Sequence, residues 1–438
     1  MRPLPTWFDE AKFGIFVHWT AASVPAFAPV GPSPFELPPD QAFSHSPYVE
    51  WYQNSLAIEG SPVHEHHRRT YGEAPYGAFV EQFLGNLAGW SAEPWAELFA
   101  SAGARYVVFV TKHHDGVLLW PSRHPNPHRA ARWQSERDVV GELATAVRDR
   151  GMRFGTYYSG GLDWTFGGLP MRDFSGLIAA IPQSQEYLSY ADAHWRELIE
   201  RYEPCALWND IGYPASADLP DLFEHYYDKV PDGVVNNRFD FISQTSGAVH
   251  ADFVTPEYST EAPAGGRKWE STRGMGTSFG FNRQETDADH LGPDELVHLL
   301  VDVVARGGNL LLNVGPAADG SVPWVQARRL LALGWWLRTN GEAIYGTRPW
   351  ERPDGTTADG VPVRFTATAD ALYLTVLGRL GEVVEVPGVK VSDEAEVTLL
   401  GFDVSLPWER AGDGLRIVLP TAPAASPAPV LRIGATPG

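Results

Sequence analysis

The chain has 438 residues, more than one compact core usually takes, so a large domain and a small one are expected. Apolar residues make up 44% and charged residues 20%, the balance of an ordinary globular protein. A net charge of −20 argues against nucleic acid or an anionic membrane surface as partner. No run approaches the roughly 18 apolar residues of a membrane helix, and the first residues show no apolar leader core, so a cytoplasmic protein is expected. Cys205 is the only cysteine, which rules out an intrachain disulfide; beside a strand it reads as a small buried hydrophobe.

Short β-rich runs alternate with helical stretches along the first three-quarters of the chain. Residues 12–19 read as a first buried strand, followed by an irregular, Pro-rich stretch over about 28–47. A helix is expected over 91–104, capped by Ser91, and then a second strand over 105–112. A helix over 138–151 stops at Gly151, and residues 153–159 form a third strand. A long helix over 184–202 leads to a fourth strand ending at Asp210. A helix over 219–229 precedes a fifth strand, 233–238, and a sixth lies at 253–258. Residues 267–273 supply a seventh strand, and 309–314 the eighth, after a helix over 293–306.

Repetition of strand and helix implies a parallel sheet with crossover helices, and eight strands imply a closed barrel. The stretches 238–252 and 258–267 are short for crossovers, so the expected fold is a distorted (β/α)8-like TIM barrel with one or two helices replaced by loops. Beyond about residue 349 the period changes to two, in 361–368, 371–376, 395–400, 414–419 and 429–433. This predicts a C-terminal antiparallel β-sandwich over 349–438, with the barrel over 1–348.

In a parallel barrel the C-terminal strand ends converge on one mouth. Here those ends carry His18, His113 and His114, Tyr157, Asp210, Arg238 and Glu257. Asp210 and Glu257 are too far apart in the chain to pair locally, yet each stands where a strand runs into a loop; two converging carboxyls are the minimal equipment for glycoside hydrolysis. Adjacent strand residues point to opposite faces, so His113 and His114 should not share a metal ion, and Asp115 is expected to fix a histidine tautomer. The cluster His64, Glu65, His66 and His67 reads as a solvated helix or loop. Gly160-Gly161 and Gly307-Gly308 lack the spacing and the Lys-Ser/Thr of phosphate loops. No metal and no cofactor are expected.

The stretches Ala11-Lys-Phe-Gly-Ile-Phe-Val-His-Trp19, Val49-Glu-Trp-Tyr52, Lys112-His-His-Asp-Gly116, Leu207-Trp-Asn-Asp210, Val235-Asn-Asn-Arg238, Pro256-Glu-Tyr258, Trp269-Glu-Ser-Thr-Arg-Gly274 and Ser278-Phe-Gly-Phe-Asn282 occur in the order of a known family. The chain resembles the α-L-fucosidases of glycoside hydrolase family 29 over nearly its whole length, with only the sandwich loosely matched. The resemblance implies a retaining exo-α-L-fucosidase that acts on fucosylated oligosaccharides or glycoconjugates. It matches Asp210 to the nucleophile and Glu257 to the acid/base, with Glu270 and Glu50 as rivals for the second role. It also matches His18, Glu50, Trp51, His113, His114, Tyr157, Arg238 and Phe279 to sugar-contacting positions. Because fucose lacks a 6-hydroxyl, an apolar patch for its methyl group is expected from Phe279 and Trp208. A homo-oligomer is left open by the sequence.

Overall fold

A strand that is apolar at every position must be covered on both faces. The computed structural model, which describes residues 2–129, 133–240, 249–419 and 426–434, shows how this is met. Seven parallel strands are β1 (Phe13–Val17), β2 (Tyr106–Lys112), β3 (Arg153–Tyr158), β4 (Ala206–Asn209), β5 (Val234–Val235), β6 (Glu270–Gly274) and β7 (Asn309–Val314). They run in the order β5-β4-β3-β2-β1-β7-β6. On β2, Val107 and Phe109 pack outward against helices, while Tyr106, Val108 and Val110 pack inward with Phe16, Trp208 and Leu311. Helices Glu93–Ser101, Val139–Asp149, Gln185–Tyr202, Leu219–Lys229, Pro293–Ala305 and Trp324–Asn340 belong to the outer layer. Asp138, Ser184 and Asp218 cap three of them through their side chains. Ser91, expected as a cap, instead donates its hydroxyl to the Glu93 carboxylate, and the helix starts at Glu93.

The barrel departs from regularity on one side. The expected fifth strand is reduced to Val234–Val235, because Asn236 accepts the Arg238 amide and turns the chain into a 3-10 helix, Asn237–Phe239. The expected sixth strand is not a strand. Residues 252–258 cross the gap between β5 and β6 by isolated parallel bridges, Asn236 to Phe253, Val254 to Trp269 and Glu257 to Thr272. Pro256 has no amide hydrogen, so this segment cannot donate a continuous ladder. No helix intervenes between 258 and 267, and of the other shortened connection residues 241–248 lie outside the described residues.

The sandwich begins with β8 (Arg348–Thr356) and β9 (Pro362–Ala367). It continues with β10 (Ala371–Val376), β11 (Val383–Val386), β12 (Glu396–Leu399) and β13 (Phe402–Ser405). It ends with β14 (Trp408–Ala411), β15 (Gly414–Val418) and β16 (Val430–Gly434). Two antiparallel sheets, β13-β12-β16-β10-β9-β8 and β11-β15-β14, enclose Phe365, Leu374, Val386, Leu415, Ile417 and Ile433. The sandwich docks on the barrel's last helices, where Trp336 Nε1 donates to the Ala428 carbonyl and Arg364 pairs with Asp302. Among the described residues no helix is long and apolar enough to cross a membrane.

Candidate active site

Strand parity extends beyond the strand ends. Ala206 and Trp208 face the barrel interior, so Asp210, two residues on, faces the mouth; the same step on β1 leads from Phe16 to His18. Asp210, Glu257, Arg238, Tyr157, Trp208 and His18 line one cavity there. Glu50, Trp51, His113, His114 and Phe279 complete the set expected from the sequence, and all of them line the same cavity. It encloses about 100 Å³. Every residue lining it precedes Gly280, so the sandwich contributes none.

Arg238 is the centre of the arrangement. Its Nη1 donates to Asp210 Oδ1 at 2.8 Å and lies 2.7 Å from Glu257 Oε1. Its other nitrogens hold the irregular segment, Nε donating to Thr255 Oγ1 (2.7 Å) and Nη2 to the Thr255 carbonyl (2.9 Å). The guanidinium also lies 4.7 Å over the Trp208 ring. Burial opposes its charge, but the Glu257 and Asp210 carboxylates outweigh burial and hold it more firmly protonated than usual. Asp210 further accepts from the Tyr157 hydroxyl (2.9 Å) and from the Ile211 amide (3.0 Å). Burial, then Asp210, push the Tyr157 hydroxyl far above its ordinary range, so it stays a donor.

Each carboxyl is followed by a residue in the left-handed region, Ile211 at φ 55° and Tyr258 at φ 53°. For a β-branched residue this is strain of about 1–3 kcal/mol, tolerated where the surroundings fix it. Here Gly160 and Gly161 fix it. A Cβ on Gly161 would stand 1.8 Å from the Ile211 carbonyl oxygen, and one on Gly160 2.1 Å from Asn209 Oδ1. The glycine pair therefore serves close backbone approach beneath Asp210.

The histidine pair differs from expectation. Strand β2 ends at Lys112, and His113 starts a turn closed by the Gly116 amide. The strand alternation no longer applies there, so both rings turn to the cavity, their centroids 3.9 Å apart. Asp115 contacts neither ring's nitrogen. It accepts from the Tyr76 hydroxyl (2.9 Å) and the Val117 amide (3.1 Å), while His114 Nδ1 pairs with Ser159 Oγ at 2.6 Å. His18 Nδ1 pairs with Asn313 Oδ1 at 2.6 Å, which leaves Nε2 as its accepting nitrogen. Burial lowers His18 to about 4 and His114 to about 3, so both are neutral near pH 7. His113 Nδ1 is buried with no hydrogen-bond partner among the described residues. Of the earlier histidine cluster, His67 is buried rather than solvated, bonded to the Tyr52 hydroxyl.

The two rival glutamates stand differently. Glu270 does not line the cavity; it is buried inside the barrel, accepting from Trp208 Nε1 (3.0 Å) and from the Tyr106 hydroxyl. Burial raises it to about 7. Glu50 does line the cavity, with Oε2 on the Gly280 amide at 2.8 Å, and burial raises it to about 7. Sequence reading missed Phe35, Phe43, Phe174 and Ile211, which also line the wall. Aromatic residues inside an irregular, Pro-rich stretch were the available signal for Phe35 and Phe43. Phe35 stacks on Phe174 with centroids 5.7 Å apart.

A family model described as alpha-L-fucosidase matches residues 1–342. The chain is 33% identical to the alpha-L-fucosidase of Branchiostoma floridae, the match covering 96% of this chain and 90% of that protein. It is 32% identical to the tissue alpha-L-fucosidase of Homo sapiens, over 96% of this chain and 86% of that one. Among solved structures it is similar to the Thermotoga maritima alpha-fucosidase in complex with fucose, with a TM-score of 0.87 and 43% identity. That match covers 98% of this chain and 97% of the other. Fold, cavity and relatives agree, and the chain belongs to the α-L-fucosidase family of glycoside hydrolases.

Proposed function

We propose that the protein removes terminal α-L-fucose from fucosylated glycans by double displacement, with Asp210 as nucleophile and Glu257 as acid/base. The observation that carries this reading is the single Arg238 nitrogen between the two carboxyls. Contacts of 2.8 and 2.7 Å to one atom keep their nearest oxygens within roughly 5.5 Å, a close pairing that supports the retaining over the inverting arrangement. Asp210 attacks the anomeric carbon and forms a glycosyl ester, while Glu257 protonates the departing oxygen. Glu257 then takes a proton from water as that water displaces Asp210. Tyr157 and Arg238 each hold one Asp210 oxygen, so rotation of the carboxylate is restricted before attack.

The remaining wall supports a sugar in the cavity. His18 offers an accepting nitrogen, and His113 Nδ1, without a partner among the described residues, is suited to a ring hydroxyl. Phe279 and Trp208 offer the apolar surface that a 6-deoxy sugar requires. A structure of the similar Thermotoga maritima protein in complex with fucose supports the choice of sugar.

The test is Asp210→Gly assayed on nitrophenyl α-L-fucoside. Turnover should fall by roughly four orders of magnitude, and azide should restore fucosyl azide formation. Proton NMR of the wild-type reaction should show α-fucose as the first product. Release of β-fucose first, or full activity of the variant, would exclude the mechanism.

A further inference from the structure

Beside the sugar cavity lies a larger groove of about 930 Å³. Three residues line both spaces, Phe35, Arg238 and Glu257. On the proposed mechanism the departing oxygen sits at Glu257, so the groove beyond it receives the leaving group. Its chemistry is mixed. Glu36, Asp289 and Glu295 line it as well as Glu257. Glu36 accepts the Ser33 amide (3.0 Å), and Glu295 accepts the Gly292 amide (2.6 Å), which fixes both side chains.

Against these carboxylates stand two arginines. Arg238 is already held by Asp210 and Glu257. Arg273 has no carboxylate within ion-pair distance among the described residues; its Nε donates to the Gly274 carbonyl (3.0 Å). Its guanidinium lies 5.0 Å over the ring of Tyr258, the residue that follows Glu257. The left-handed turn at Tyr258 thus brings a planar donor, steadied by an aromatic face, beside the acid that serves the leaving group.

We propose that this groove binds a neutral oligosaccharide leaving group, with the Arg273 guanidinium donating to its hydroxyls and Glu36 and Glu295 accepting from them. A polyol offers each hydroxyl as donor and acceptor, which suits an alternation of guanidinium and carboxylates. With the Arg238–Glu257 pair set aside, an anionic leaving group would meet three carboxylates, Glu36, Asp289 and Glu295, against one arginine, so the groove disfavours sulfated or sialylated chains. The groove's size gives a leaving group longer than one ring a place to lie. This inference rests on the proposed assignment of Glu257.

The experiment compares kcat/KM on a neutral fucosylated trisaccharide with kcat/KM on nitrophenyl α-L-fucoside. In Arg273→Met the ratio of trisaccharide to nitrophenyl turnover should fall about tenfold relative to wild type, mostly through KM. Arg273→Lys should recover part of that ratio. A trisaccharide sulfated on the leaving group should be the poorer substrate for wild type and should gain on the neutral one in Glu295→Gln. An unchanged ratio in Arg273→Met would overturn the proposal, and so would a wild-type preference for the sulfated substrate. Loss of nitrophenyl turnover by wild type would instead remove the fucosidase mechanism, so the two failures are separable.

Discussion

Asp210 and Glu257 face one cavity from backbones of different kinds. Asp210 directly follows β4, which has ladder partners on both sides, β3 and β5. The turn after it is wedged against Gly160 and Gly161. Glu257 sits in a segment joined to its neighbours, among the described residues, by isolated bridges and by side chains. Asn237 Oδ1 accepts the Thr255 amide and its hydroxyl at 3.1 Å, and Arg238 clasps the same residue. A group that forms a covalent bond needs a fixed attack geometry, whereas one that exchanges protons first with the leaving oxygen and then with water needs less. The rigid side carries the proposed nucleophile and the looser side the proposed acid/base.

The first way to sharpen this contrast is Glu257→Gln. Turnover of an oligosaccharide should fall about 10²- to 10⁴-fold, because its leaving oxygen needs a proton. Nitrophenolate departs without one, so the first step on the nitrophenyl glycoside should suffer far less. Pre-steady-state release of nitrophenol measures that step directly. Equal losses on both substrates would mean that Glu257 positions the sugar rather than protonating it.

The second breaks the rigid side. Gly161→Ala drives a methyl group against the Ile211 carbonyl, and the turn must move by an ångström or more. Misplacement of that order costs about a hundredfold in rate. Unlike the Glu257 change, it should lower turnover of every substrate alike. The third loosens the other side. Asn237→Ala removes the hold on Thr255 and should cost about tenfold, roughly 1.4 kcal/mol, on oligosaccharides and less on nitrophenyl fucoside. If Asn237→Ala outweighed Gly161→Ala, the two regions would have their roles reversed.

The same contrast governs what the sequence made legible. Strands β1 to β4 were readable because both faces are covered and most positions are apolar, and the parity of those strands places Trp208 and Asp210 at the mouth. The 252–258 segment imitates a strand in composition, but Pro256 denies it a continuous ladder, even though Phe253 in the interior and Glu257 at the mouth keep a strand's parity. The strand-end reading had already singled out Glu257, and the motif match added the expectation of an acid/base role. In the sandwich, the five strands read from alternation, β9, β10, β12, β15 and β16, are interior to their sheets. The four that were missed, β8, β11, β13 and β14, are the sheet edges. Edge strands carry charge and proline to discourage pairing with other chains, as Arg348, Pro349 and Pro353 do in β8, and this erases the two-residue period. The cavity's Phe35 and Phe43 come from a stretch with no period at all.

The smallest effect on activity is expected from Glu270→Gln, inside the barrel beneath both carboxyls. Its carboxyl accepts from Trp208, whose ring underlies Arg238, so kcat should change only a few-fold while stability changes with pH. Burial raises Glu270 from 4.5 to about 7. Between those values the folded chain holds a proton that the unfolded chain has lost. Its contribution to stability is therefore full below about 4.5 and is lost as the pH rises through about 7. Glutamine mimics the protonated acid at every pH, at a constant cost of about 1 kcal/mol for one poorer hydrogen bond. The unfolding free energy of the variant, less that of wild type, should thus rise by about 3 kcal/mol between pH 4.5 and 8. Glu50 and Glu285, also raised to about 7 by burial, slope the same way in both proteins and cancel in the difference. Urea unfolding at several pH values measures it. A flat difference would mean that Glu270 stays ionised throughout, sustained by its tyrosine and tryptophan donors and by Lys268, and that the barrel interior carries a permanent negative charge beneath Arg238.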